Sequence, residues 1–456
     1  MMGTDNHNHH TSTSAREIPR DEHLPGLSTL LDAARARELI APRVGNTHGT
    51  VGECSIAYVR YKPDTSCVVT YALKCAAPDS SDLLFYGKCY TPDDFDNAAR
   101  KANSQQWVTA CDVEPVLLLP ELCSIIYTYP NDRELDGLRL IAAPKKMQRM
   151  LYEHLTDYPG DEWRISDKRL RATTVRYKPE KRAVVRFDTR ATHRERGNRE
   201  RICVYLRSYS DDRGRAQFEL MQKLHASFHQ RGQVEVPRPL AYFADKHLLL
   251  IDGLPGVPML DRFSDAGVRR DVARAAQALA ELHRFGDADL ATRTVSDLMD
   301  DARSTAGTLG HVAPGTGAEV RELMAALESI QPGSDHAIGF VHGDFYHGQV
   351  LIDEDGSPAI LDFDRSYAGD VTADVGNFCA HLRLLALQSR ISGWAALRDA
   401  FAGAYSDVAG GLDPDRLRFW TALGLFQLSV GPFRSLRPEW RTKTENILKE
   451  CWSALK

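Results

Sequence analysis

Two stretches of this chain alternate apolar and polar residues in the same way. "VRYKPDTSCVVTY" (59–71) and "VRYKPEKRAVVRF" (175–187) share seven of thirteen residues. Each predicts a β-hairpin: an alternating strand, a turn set by proline with acidic or small residues, then a β-branched return strand. Downstream, "DLLFYGKCY" (82–90) answers "ICVYLRSY" (202–209), which sets Lys88 against Arg207. "CSIIYTYPNDREL" (123–135) loosely answers "HLLLIDGLPGVPM" (247–259). Four corresponding stretches in one order predict a duplicated β-rich module, with boundaries near 26–147 and 148–258. Two copies are too few for a solenoid. Beyond residue 258 the period changes. Apolar residues recur at helical spacing over 271–285, 317–330, 375–388 and 393–408, which predicts a helical lobe over 259–456. Within it, "VLID", the turn "EDGS" and "AILDF" read as a strand–turn–strand insertion. The predicted fold class is α+β and bilobal, β-rich first and helical second.

Composition narrows the partners. At 456 residues the chain is too long for one ordinary core. No run approaches ~18 uninterrupted apolar residues, so no membrane partner is expected. Residues 1–25 begin polar and low in complexity and are expected to form a disordered tail, with solvated His7, His9 and His10. The nine cysteines are scattered and show no CxxC pair, which argues for a reduced, cytoplasmic setting and against a disulfide framework or zinc site. A net charge of −5 does not suggest a nucleic-acid partner. One region departs from that average: residues 164–215 carry 17 Lys/Arg against 7 Asp/Glu.

The chemistry concentrates in "FVHGDFYHGQVLIDEDGSPAILDFDR" (340–365). Phosphoryl transfer asks a protein to position reactants, neutralise charge and offer a carboxylate to the attacking hydroxyl. Mg²⁺ takes carboxylate and carboxamide oxygens. The protein-kinase catalytic loop separates its base Asp from its metal-binding Asn by four residues. Here four residues separate Asp344 from Gln349, and a hairpin returns the chain to Asp362.

"HGDFYHGQVL" followed by "ILDFDRSYAGDVTADVGNF" resembles the aminoglycoside phosphotransferase/choline kinase group of the protein-kinase-like fold. That resemblance implies Asp344 as catalytic base, Gln349 as a metal ligand where the group usually has Asn, and Asp362 as principal metal ligand. It implies that His342 ties the catalytic loop to its surroundings and that Asp370 and Asp374 brace the helical lobe. Asp364 is expected near the site, against the metal or a backbone group. Arg207 takes the place of the phosphate-binding cation of the N-lobe, with Glu219, twelve residues on, as its expected ion-pair partner. Backbone groups of Ile251, Asp252 and Gly253 are expected to meet adenine. No glycine-rich loop precedes them, so Lys178, Lys181 and Arg182 of the hairpin turn are candidates to cover phosphates, a solvated hairpin tip being the plainer alternative.

The first module has Lys88 in place of Arg207 but Arg100 twelve residues later, so it reads as an N-lobe-like cap without catalysis. Its role, structural or substrate-binding, stays open. The implied activity is ATP- and Mg²⁺-dependent transfer to a hydroxyl of a small polar molecule such as a sugar, aminosugar or amino alcohol. Acids such as Asp297, Asp300 and Asp301 are candidates for greeting ammonium groups, or else belong to a solvated helix face. Two alternatives are carried: a Ser/Thr kinase acting on a peptide in ribosomal peptide biosynthesis, and a nucleotide-binding pseudokinase. Nothing in the sequence sets the oligomeric state.

Overall fold

Both predicted hairpins form the centre of a sheet. The computed structural model describes residues 18–44, 50–75, 82–110, 112–166, 168–229, 234–333 and 338–456. The first sheet contains β1 (Val51–Lys62), β2 (Ser66–Cys75), β3 (Leu83–Tyr90), β4 (Val116–Leu119) and β5 (Ser124–Thr128), in the order β1-β2-β3-β5-β4. The second contains β6 (Trp163–Ile165), β7 (Arg171–Lys178), β8 (Arg182–His193), β9 (Arg199–Tyr209), β10 (Pro239–Phe243) and β11 (Leu248–Asp252). Its strands lie in the order β10-β11-β9-β8, with both β6 and β7 paired to β8. Apart from β6, that is the strand order of the first sheet. A helix follows the third strand of each, Pro92–Ser104 and Arg213–His229. The backbone exceptions correspond too. Asp64 and Glu180, at the two hairpin turns, have φ of 56° and 59°; Cys123 and His247, each just before the fifth strand, have 43° and 47°.

Alternation along each strand gives every sheet two distinct faces. In the first sheet Val68, Tyr86, Ile125 and Tyr127 share one face, and they pack into one cluster with Tyr177, Ala183, Val185, Phe187 and Leu206 of the second sheet. Tyr86 stacks on Tyr127 at 4.7 Å, a contact that adds about 0.5–1.5 kcal/mol beyond the area it buries. The opposite face carries Val69, Tyr71, Phe85 and Ile126, and covers Leu27, Leu30 and Ile40 of two short helices. The same cluster reaches Phe433 and Trp440 near the end of the chain. The other face of the second sheet carries Tyr209, Leu249 and Ile251, which belong to one cluster with Leu220, Leu224, Phe340, Phe345 and Phe363.

The helical part includes Val268–Leu282, Gly317–Ser329, Thr372–Leu387 and Trp394–Ala409, close to the four predicted segments, and also Val295–Val312, Pro414–Leu428 and Trp440–Leu455. Its short strands are β12 (Val257–Pro258), β13 (Ile338–Val341), β14 (Val350–Ile352), β15 (Pro358–Ile360) and β16 (Tyr367–Asp370). β14 and β15 are the expected insertion, paired Val350 to Ile360. The molecule is therefore α+β, with β-rich sheets followed by a helical C-terminal part. Among the described residues no helix is long and apolar enough to cross a membrane.

The expected tail needs a correction. Within residues 18–25, placed in it on polarity, Pro19 and Leu24 are buried, Leu24 being 1% exposed. Asp21 accepts hydrogen bonds from the Tyr61 hydroxyl at 2.8 Å and the Asp64 amide at 2.9 Å. One buried leucine and one doubly bonded carboxylate outweigh the polar neighbours. Residues 1–17, with the three histidines, lie outside the described residues.

Candidate active site

After β13 the chain turns sharply at His342–Gly343–Asp344. Gly343 has φ of +77°, and a Cβ there would stand 2.2 Å from the Arg365 carbonyl oxygen, so only glycine fits. His342 is fully buried, with Nε2 2.8 Å from the carbonyl of Leu361, the residue before Asp362. Asp374 accepts from the amides of His342 at 2.6 Å and Gly343 at 2.9 Å, and lies 3.1 Å from His283 Nε2. These bonds tie the turn to the next segment and to the helix Thr372–Leu387. Asp370 accepts from Trp420 Nε1 at 2.8 Å and Arg416 Nε at 3.1 Å, on the helical side of the turn.

Asp344 stands at this turn, where it feels the charge of Asp362, and Asp362 is bonded to Gln349. Burial raises the pKa of Asp344, and Arg365, 4.0 Å away, opposes that only in part. Asp362 has φ of +67°, strained for a residue with a side chain, as functional positions often are. Its Oδ2 accepts from Gln349 Nε2 at 3.3 Å, and its Oδ1 from Arg207 at 2.9 Å and Arg182 at 3.4 Å. Asp364 accepts from Arg182 at 2.5 Å, Arg207 at 2.9 Å and the Tyr209 hydroxyl at 2.9 Å. Burial alone would push the Asp362 carboxyl up, but Arg207 and Arg182 outweigh it and hold the group well below the usual carboxylate range. Charges this deep persist because they are paired and hydrogen-bonded.

Three expectations are corrected by these contacts. Arg207 pairs with Asp362 and Asp364, not with Glu219. Leu220, Met221, Leu224 and Phe228 point the other way round the helix into the core, which leaves Glu219 exposed. The amides of Asp252 and Gly253 donate to the carbonyls of Arg238 and Cys203, both at 2.9 Å, and Ile251 is buried in β11, so the adenine contact expected of these backbone groups narrows to carbonyl oxygens. Arg182, expected over phosphates, is held by the two aspartates. It still lines the cleft, together with Lys178 and Lys181. The acids considered for ammonium groups are also occupied. Asp297 caps its helix through Thr294, Asp300 pairs with Arg303, and Asp301 pairs with Arg293.

The first sheet repeats this arrangement with a different partner. Lys88 Nζ lies 2.8 Å from Glu180 Oε2, Arg60 Nη2 3.3 Å from the same oxygen, and Arg133 Nε 3.5 Å from Oε1. Glu180 stands at the tip of the β7–β8 hairpin and is 7% exposed. In each sheet, then, a cation on the middle strand meets an acid supplied by the next part of the chain. The face of the first sheet that would open on a cleft is filled by the second sheet.

Residue patterns alone missed several groups at the site. A cavity of about 490 Å³ is lined by Tyr58 of β1, Tyr346, Arg365 and Arg434 as well as Asp344. Tyr346 stacks on His381 at 4.2 Å, and burial pushes His381 and neighbouring His347 down to about 3 and about 4, so both are neutral near pH 7. Arg365 sits beside the "DFD" run and was legible there. Tyr58 and Arg434 reach the cavity only through tertiary folding.

The family model described as the phosphotransferase enzyme family matches residues 170–420. A choline kinase from Cryptosporidium parvum Iowa II superposes with a TM-score of 0.48 at 10% identity, covering 68% of this chain and 94% of that one. A choline/ethanolamine kinase family protein from Mesorhizobium loti gives 0.43 at 16% identity over 69% and 95%. An aminoglycoside phosphotransferase from Streptomyces rimosus gives 0.40 at 19% over 56% and 92%. Among curated proteins there is no match.

Proposed function

This chain belongs to the phosphotransferase enzyme family, and we propose that it moves the γ-phosphate of ATP, with Mg²⁺, onto a hydroxyl of a small polar molecule. The observation that carries this reading is that Asp344 lines the cleft and feels the charge of Asp362, which is itself held by Gln349 and Arg207. Asp344 is the base. Burial raises its pKa above that of a free aspartate, which strengthens the ionised carboxylate as a proton acceptor. The acceptor oxygen forms a bond to the γ-phosphorus, the bond from that phosphorus to the bridging oxygen of ADP breaks, and the hydroxyl proton passes to Asp344.

Gln349 and Asp362 would hold Mg²⁺. A carboxamide and a carboxylate in mutual contact are the hard oxygen donors this ion takes, and it keeps further positions for water and phosphate oxygens. Turning the Gln349 amide about its last bond presents Oε1 in place of Nε2, an exchange that costs only its hydrogen bond to Asp362. Bound there, the ion would supply neutralisation of phosphate charge. Arg207 and Arg182 hold Asp362 ionised and in place.

A second reading is transfer to a Ser or Thr hydroxyl of an acidic peptide. It draws on a separate groove of about 590 Å³ lined by Arg169, Arg171, Arg190 and Arg201, with Asp188 as the one carboxylate among its described residues.

Incubation with γ-labelled ATP and Mg²⁺ across sugars, sugar acids and phosphates, amino alcohols and Ser/Thr peptides tests both readings. Asp344→Ala serves as the blank. Label on one small-molecule class, absent with the variant, is the expected result; label on peptide alone selects the second reading. Equal labelling by Asp344→Ala and wild type would remove Asp344 as the base.

A further inference from the structure

The cleft around Asp344 is lopsided in charge. Its wall carries Arg176, Lys178 and Arg182 from the β7–β8 hairpin, Arg365 beside the catalytic turn, and Arg434 from the helix Gly431–Ser435; Lys181 and Arg213 stand at the same cavity. The carboxylates on that wall are Asp344 and Asp364. Asp364 is committed to Arg182 and Arg207, and Arg213 is committed to Asp211. Arg176, Lys178 and Arg434 have no carboxylate within 4.0 Å among the described residues. Burial, reinforced by Arg176, Arg182, Arg365 and Arg434, pushes the Lys178 ammonium down to about 7. Cations outnumber carboxylates on this wall, like charges gathered this closely are unfavourable, and an anion placed among them relieves the conflict.

The repeat shows what fills such a nest elsewhere in this chain. Arg60 corresponds to Arg176, and Lys88 to Arg207. In the first sheet a single carboxylate, Glu180, is bonded by both cations, at 3.3 Å and 2.8 Å. In the second sheet Arg207 holds Asp362 and Asp364, while Arg176 faces the cavity with no carboxylate within 4.0 Å among the described residues. The nest also extends away from Asp362: Arg434 comes from the C-terminal end of the helical part, and Tyr58 beside it from β1 of the first sheet.

We propose that the acceptor carries an anionic group of its own, a phosphate or a carboxylate, which Arg176, Lys178 and Arg434 seat beside Asp344. The inference rests on the phosphotransferase reading and names its substrate class. The reacting hydroxyl reaches Asp344 while the anionic group passes through the reaction unchanged. A cationic acceptor finds no free carboxylate on this wall except the base itself.

Titration calorimetry tests this without knowledge of the acceptor. The protein is saturated with Mg²⁺ and a non-hydrolysable ATP analogue, then titrated with inorganic phosphate and, separately, with malonate. Saturable binding of at least one anion is expected. It should weaken at least tenfold in Arg434→Gln and recover in part in Arg434→Lys, with affinity for the analogue the same in all three. Tighter phosphate points to a phosphorylated acceptor, tighter malonate to a carboxylated one. A thermal melt confirms that Arg434→Gln is folded, and Arg176→Gln supplies the same comparison if it is not. The proposal is overturned if neither anion binds the loaded protein, or if Arg434→Gln binds anions as wild type does. It is equally overturned if Arg434→Gln weakens the analogue, because the nest would then serve the nucleotide. A wild-type protein that fails to bind the analogue is a different result, one that removes the phosphotransferase reading and the proposal with it.

Discussion

At the scale of single residues the site trades stability for chemistry. Asp344 is a carboxylate kept where burial disfavours its charge. Its folded pKa is raised, so the native state binds protons more tightly than the unfolded chain does, and stability falls as pH rises past the ordinary carboxylate value of ~3.9. Asp344→Asn removes that conflict. At pH 7 it should lower turnover ~10²–10⁴-fold while the melting temperature stays level or rises, which steady-state kinetics and calorimetry will read together. A melting temperature several degrees below wild type would mean that the carboxylate holds structure. In the wild type, kcat should rise with pH through a value above that of a free aspartate, since only the ionised base accepts the proton. A profile flat down to pH 4 would contradict the raised pKa.

Among elements, the β7–β8 hairpin has two duties. Its tip delivers Glu180 backward to Lys88, Arg60 and Arg133, and its flanks deliver Arg176, Lys178 and Arg182 forward to the cleft. Most of the 17 Lys/Arg of residues 164–215 are thus divided among an outer groove, the cleft and ion pairs. Breaking a buried charge pair by removing one partner typically costs ~3–5 kcal/mol. Glu180→Gln should cost that order in urea unfolding, because three cations lose one acid whose side chain is only 6% exposed. Lys88→Gln added to it should restore part of the loss; a fully additive double variant would deny the coupling.

For the whole molecule, the first sheet joins both other parts. One of its faces is the floor of the second sheet, and the other reaches Phe433 and Trp440 of the helical part. Trp440 is 1% exposed and stacks edge-on to Phe433 at 5.1 Å. Its replacement by alanine should cost ~3–5 kcal/mol. It should also raise the KM of the acceptor more than that of ATP, because Tyr58 and Arg434 meet the cavity from the two sides of this joint. An unchanged acceptor KM in a destabilised Trp440→Ala would show that the joint does not shape the site.

What could be read from residue order alone was whatever depends on neighbours a few positions apart. The two hairpins, the four helical segments, the insertion at 350–360 and the spacing of Asp344, Gln349 and Asp362 are all periodicities or short intervals, and backbone geometry translates those directly. The repeat was legible for the same reason. Tertiary structure decided which side chains meet. Glu219 was the plausible partner of Arg207 by interval, yet helix phase turned it to solvent and buried charge drew Asp362 and Asp364 in from 155 and 157 positions away. Leu24 looked like part of a polar tail until a sheet supplied its pocket. Arg434 and Tyr58, separated by most of the chain, became neighbours of Asp344 only because the first sheet packs against both the second sheet and the helices. Interval and period encode local geometry. Contacts across hundreds of residues are set by which faces must be buried and which charges must be paired, and those are properties of the folded whole.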